Sequence, residues 1–143
     1  MSVKRTAAEE YRDASPEPTE EQEQRTLCQW ARMHEGLWPE LRLLYHIPNG
    51  GSRRKIEAAI LKGLGVKSGV PDMCLPVPRG GQHGLYIELK RRKSGKLSPE
   101  QMQWLEALAT QGYTAAVCRG CDQAIAMIER YLRGEGSGRE AQV

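Results

Sequence analysis

The sequence predicts an α/β fold, a mixed β-sheet with helices on both faces, and three observations carry that expectation. Residues 72–77 and 84–90 alternate in polarity one by one, the period-two pattern of half-buried strands. Two stretches announce helix starts: Thr19 before Glu20, Glu21 and Glu23, and Ser98-Pro99-Glu100-Gln101, which joins an N-cap, a proline at N1 and a capping-box residue. Taken in order, the elements run helix, strand, helix, strand, strand, helix, strand, helix, an order that packs as a mixed sheet covered on both sides.

Residues 1–18 are polar, hold Pro16 and Pro18, and read as a disordered arm. Gly134-Glu135-Gly136-Ser137-Gly138 opens a flexible tail over 134–143, which leaves one domain at 19–133. The first helix keeps its acids in the first turn, where the dipole favours them, and carries Leu27, Trp30, Ala31 and His34 along one face until Gly36 and Pro39 stop it. Residues 41–47 read as a strand. A glycine-rich turn follows at 48–52, and Ser52 is placed to cap a helix with Ile56, Ile60 and Leu64 on its apolar side, closed by Gly63 and Gly65. That helix begins Arg53-Arg54-Lys55, and cations there oppose the dipole unless an anion joins them. A phosphate bound by the turn amides and these side chains would be that anion.

The turn-rich residues 78–83 are few enough to make the strands on either side an antiparallel hairpin. The helix from Ser98 should run to Gly112, with Gln101, Leu105 and Leu108 on its inward stripe. Residues 113–118 form a further strand, and Asp122 caps a last helix carrying Ile125, Ile128 and Leu132.

At 143 residues the chain can bury a modest single core, and with 39% hydrophobic residues and no Phe that core must be aliphatic. No eighteen-residue apolar run and no apolar N-terminal segment occur, so the expectation is a soluble, intracellular protein. Cys118 and Cys121 form a C-x-x-C pair, but His34, His46 and His83 are scattered. Zinc binding would want a second pair; the plain reading has Cys118 ending a strand and Cys121 opening a helix, both reduced. Charge is unevenly spread. Residues 42–96 hold twelve basic and three acidic groups, a balance of +9, against a net +3 for the whole chain. Such a cationic segment favours a polyanionic partner.

Two of those three acids are Asp72 and Glu88, which belong to the pattern Pro71-Asp72, fifteen residues, then Glu88-Leu89-Lys90. If Val77 pairs near Gly84, Asp72 falls opposite Glu88 or Lys90. Side chains two apart share a face, so Glu88 and Lys90 point together while Leu85, Ile87 and Leu89 turn into the core. Two neighbouring carboxylates repel unless a cation joins them. Mg²⁺ suits the donors, with one or two carboxylates, water, phosphate oxygens and the Leu89 carbonyl. In isolation the tripeptide would pass for a solvated surface cluster.

With these motifs in place, the chain resembles the VRR-NUC group of the PD-(D/E)XK nuclease superfamily. The matching stretches are Glu20 to Trp30, Ile47-Pro48-Asn49-Gly50-Gly51, Gly69-Val70-Pro71-Asp72, Ile87-Glu88-Leu89-Lys90, Ser98 to Trp104, and Gly112-Tyr113. The form is similar to the compact stand-alone version of phages and bacteria, which implies a cytoplasmic setting in a bacterial host. The resemblance implies a restriction-endonuclease-like core and a metal-dependent DNA endonuclease using Mg²⁺ or Mn²⁺. It further implies a homodimer acting on branched DNA such as four-way junctions.

Carried over by residue, Asp72 and Glu88 become metal ligands, Lys90 orients the attacking water or stabilises developing charge, and Gln101 supports the site. Glu20 best matches the first-helix acid and could complete a second metal site, with Glu23 the alternative. Candidate DNA contacts are Asn49, Arg53, Arg54 and Lys55 at the turn, and Arg91, Arg92 and Lys93 after the second hairpin strand. The competing reading is a non-catalytic nucleic-acid-binding module that uses the 42–96 segment alone.

Overall fold

The structure, a computed structural model, describes residues 4–14, 16–48 and 54–141. Its centre is a five-stranded sheet in the order β1-β2-β3-β4-β5, formed by β1 (Tyr45–His46), β2 (Met73–Leu75), β3 (Leu85–Lys90), β4 (Thr114–Arg119) and β5 (Arg139–Ala141). The β1–β2 and β2–β3 pairs are antiparallel, whereas β3–β4 and β4–β5 are parallel. This is the mixed sheet that the sequence leads one to expect, and the hairpin registers Met73 on Ile87 and Leu75 on Leu85.

Alternation along β3 divides the molecule. Leu85, Ile87 and Leu89 face α2 (Glu20–Met33) and α5 (Cys121–Leu132), packing with Leu27, Ala31, Ala124, Met127 and Ile128 in the larger core. Each fully buried aliphatic side chain there contributes about 1.5–3 kcal/mol. On the opposite face α4 (Pro99–Thr110) lays Leu105 against Ala115 and Val117 of β4. Tyr86, Glu88 and Lys90 therefore share the α4 side of the sheet. No helix among the described residues is long and apolar enough to cross a membrane.

Several local expectations are corrected. In place of a strand at 41–47, Pro39–Leu43 forms a 3-10 turn and the strand keeps only two residues. Pro39 presets the turn's φ, Leu41 is buried by it, and Arg79 anchors it through Glu40 Oε1 at 3.0 Å. The arm expected to be disordered carries a helix, α1 (Ala7–Ala14). Thr6 and Glu9 cap it reciprocally, Thr6 N–H donating to Glu9 Oε2 at 2.7 Å and Glu9 N–H to Thr6 Oγ1 at 3.2 Å. The expected flexible tail instead supplies β5, joined to the sheet by parallel pairing and by the Ala115 N–H donated to Gly138 O at 2.9 Å. Finally, Asp122 does not cap α5; Gly120, at φ +90, is its N-cap.

The turn expected at 48–52, with its Ser52 cap and the candidate contacts Asn49 and Arg53, lies outside the described residues apart from Pro48. The helix after it is present as α3 (Lys55–Gly63), yet none of its residues is buried. Its apolar stripe faces away from the core, with Ile56 75%, Ile60 58% and Leu64 77% exposed.

Candidate active site

Gly69 decides where the segment before β2 can lie. Its φ is +89, and a Cβ there would stand 2.6 Å from the main-chain carbon of Glu100, so only glycine lets this backbone press against the first turn of α4. Pro71 then stiffens the entry into β2. From its own side α4 is fixed by the expected capping box: Ser98 Oγ accepts the Gln101 N–H at 3.1 Å, and Gln101 Oε1 accepts the Ser98 N–H at 2.9 Å. That arrangement aims the other end of the amide inward, and Gln101 Nε2 donates to Glu88 Oε1 at 2.9 Å. One glutamine thus closes the helix cap and reaches the site.

The Met73–Ile87 register, continued by one residue, sets Asp72 opposite Glu88. Asp72 Oδ2 accepts the Leu89 N–H at 2.7 Å, and Lys90 Nζ stands 3.8 Å from Glu88 Oε1. Glu88 is 2% and Lys90 7% exposed. Glu88 Oε2 is buried with no hydrogen-bond partner among the described residues, which is a costly state for a carboxylate oxygen.

The electrostatics follow from that geometry. Burial, then the Asp72 charge, push Glu88 up to about 9, against the pull of Lys90; the Glu20 charge adds to the rise. Burial also raises Asp72, offset in part by the Leu89 N–H that it accepts. Burial and mutual repulsion therefore disfavour two full negative charges side by side unless a cation joins them. An orphaned carboxylate oxygen beside a second acid, with oxygen donors alone, fits a hard divalent cation such as Mg²⁺ or Mn²⁺. Asp72, Glu88 and the Leu89 carbonyl are the groups that would hold such an ion. Among the described residues no three His, Cys, Asp or Glu side chains gather as a ligand set.

The two first-helix acids separate clearly. Glu20 is exposed, and its Oε1 lies 3.6 Å from the point where a Gly95 Cβ would be, as does Lys90 Cδ, which puts it at the rim of the site. Glu23 is 2% exposed; it accepts from Arg92 Nε at 2.7 Å and from the Cys121 N–H at 2.5 Å. It serves as the missing cap of α5, where the helix dipole favours a negative charge.

The basic candidates divide in the same way. Arg92 is tied to Glu23, and Arg91 donates to Pro18 O at 3.2 Å and Glu17 O at 3.1 Å. Arg54, Lys55 and Lys93 are exposed. A residue missed in the sequence is Arg119, which sits beside Lys90 in the β3–β4 register and donates to Ser94 O at 3.0 Å and Gly95 O at 3.1 Å. It holds the loop after Lys90 in place. Its position one strand away from a catalytic candidate was the available signal. Cys118 and Cys121 are free and buried, and burial pushes them up to about 12 and about 11, so they are protonated thiols.

The VRR-NUC domain model matches residues 7–122. Among solved structures, a VRR_NUC domain protein aligns with a TM-score of 0.69 at 29% identity, covering 85% of this chain and 93% of that one. No curated protein matches the chain. Since the matched span contains α2, β2, β3 and α4, every element that positions Asp72, Glu88, Lys90 and Gln101 lies within it, and the chain belongs to the VRR-NUC family of nuclease domains.

Proposed function

We propose that this nuclease domain is a Mg²⁺- or Mn²⁺-dependent endodeoxyribonuclease acting on branched DNA such as four-way junctions. The observation that carries the reading is the buried Glu88 carboxyl, with Oε2 unpartnered among the described residues, whose charge is opposed by the neighbouring Asp72. Asp72 and Glu88 hold the ion, oriented by the Leu89 N–H and by Gln101 Nε2. Once bound, the ion supplies Lewis acidity to the scissile phosphate and its attacking water. Lys90, 3.8 Å from Glu88, stands where it can orient that water or meet the negative charge developing on phosphate. Exposed Arg54, Lys55, Lys62, Lys67, Lys93 and Lys96 give the basic segment its contacts to the backbone, whereas Arg91 and Arg92 act within the protein.

Labelled duplex, flap and four-way-junction DNA, incubated with wild type, Asp72→Ala and Lys90→Ala, test the reading. Mn²⁺-dependent cleavage stronger on the branched DNAs than on the duplex is expected for wild type, and loss of cleavage with retained binding in Ca²⁺ for both variants. Wild type that binds all three DNAs with steep salt dependence and cuts none would instead be the binding module.

The homodimer is part of the proposal. Three large aliphatic side chains exposed on one helix stripe mark an interaction surface. Two copies of α3 set antiparallel about Ile60 place Ile56 of each against Leu64 of the other. Gly63 faces Glu57 in that pairing, and with no side chain it lets the helices approach. A dimer also nicks two strands symmetrically. Ile60→Glu is expected to convert a dimer to a monomer in sedimentation without lowering the melting temperature, because the position is solvent-facing in the single chain. A wild type that sediments as a monomer would remove the dimer from the scheme.

A further inference from the structure

We infer that the tyrosines beside the carboxylates form a stacking platform for the base of the nucleotide whose phosphate lies at Asp72 and Glu88, so that this domain favours substrates with that base unpaired. The inference rests on the nuclease reading and deepens it.

Tyr45 pairs with Cys74 and Cys74 with Tyr86, which makes one row across three strands. Residues two apart on a strand share a face, so this row lies on the same side as Asp72 and Glu88, displaced by two residues or about 7 Å. A nucleotide spans about that distance between its phosphate and its base. Edge-to-face contacts extend the row, from Tyr86 to Tyr113 at 5.3 Å and on to His83 at 5.6 Å. These contacts fix the Tyr86 ring in the floor.

Tyr45 is the informative member. It is 49% exposed on a strand of two residues that are both exposed, so its ring contributes little to the core. It does cover the row's middle: Cys74 beneath it is only 3% exposed. An open aromatic ring in line with catalytic carboxylates, on a chain whose cationic segment contains both, presents a π-face to a strand held by its phosphates. Every base can stack on such a ring, but a paired base must first leave its helix. The platform therefore discriminates by pairing state and tolerates any sequence.

The test uses DNA with a single 2-aminopurine at the mapped cut site, either paired with thymine or left unpaired, and the full chain as wild type, Tyr45→Ala and Tyr45→Phe. Cleavage is read with Mn²⁺, and 2-aminopurine fluorescence with Ca²⁺. Wild type is expected to prefer the unpaired form about tenfold and to quench the probe on binding. Tyr45→Ala should lose preference and quenching through a higher KM with kcat unchanged, as removal of uniform binding does; Tyr45→Phe should keep both. Equal preference in wild type and Tyr45→Ala, or a Tyr45→Phe that behaves like Tyr45→Ala, would overturn the platform while leaving the nuclease intact. A wild type that cuts no DNA would overturn both.

Discussion

Glu88→Gln is expected to melt at a higher temperature than wild type and to cut DNA about a thousandfold more slowly. A buried carboxyl with one unpartnered oxygen and a second acid opposite it is destabilising, and a neutral amide of the same shape removes the cost. The Gln side chain can still accept from Gln101 Nε2 and can now donate toward Asp72. The gain should be about 1–2 kcal/mol, roughly 3–8 °C for a domain of this size. Its pH dependence has a definite sign. Glu88 is raised from 4.5 to about 9, so its contribution to stability is fully present below pH 4.5 and is lost as pH rises toward 9. Without divalent cations, wild type should therefore fall behind the variant between those limits and match it at the acid end. Mn²⁺ should restore wild type and leave Glu88→Gln unmoved, since the ion loses a charged ligand there. The loss in rate reflects several kcal/mol of charge stabilisation at the phosphate. Calorimetry at pH 5 and pH 8, with cleavage rates beside it, checks both halves; wild-type turnover in the variant would take Glu88 out of the reaction.

Glu23→Ala carries the largest expected loss of stability, about 3–5 kcal/mol. Removing this carboxylate leaves Arg92 without its partner at 2.7 Å and strands the Cys121 N–H at the head of α5, and a half-broken buried ion pair is more costly than none. Burial raises the Glu23 pKa, yet the Arg92 and Cys121 hydrogen bonds outweigh it and bring the group below 4.5. The stability it supplies is thus present above pH 4.5 and lost as pH falls below that value, opposite in slope to Glu88. Denaturant melts at pH 7 should show the full loss. Glu20→Ala, at an exposed position, should stay within about 0.5 kcal/mol of wild type. Equal melts for the two variants would mean that Glu23 does not hold α5 to α2.

The hairpin and the gathering of its charged side chains were legible because they are local. Alternation in residues 72–77 and 84–90 fixed which side chains share a face, and a short turn left the register almost no freedom. The Ser98 box was legible for the same reason. What could not be read depended on distant partners. Glu20 and Glu23 look equivalent on α2 until α5, nearly a hundred residues on, presents the bare Cys121 N–H to one of them. Arg91 and Arg92 look like phosphate contacts in a basic run, but Glu17 and Glu23 reach them from the N-terminal segment. The stripe of Ile56, Ile60 and Leu64 reads as core-facing because periodicity reports that a face is apolar and not what covers it. The glycine-rich composition of 134–138 hid the three-residue strand that follows.

Gln101 ties the fate of Glu88 to the weakest part of a helix. The first turn of α4 is where fraying starts in any such element, and the side chain that seals it is also the one gripping the carboxyl. Warming should consequently disarm the domain before its sheet lets go, with thermal inactivation running ahead of global unfolding.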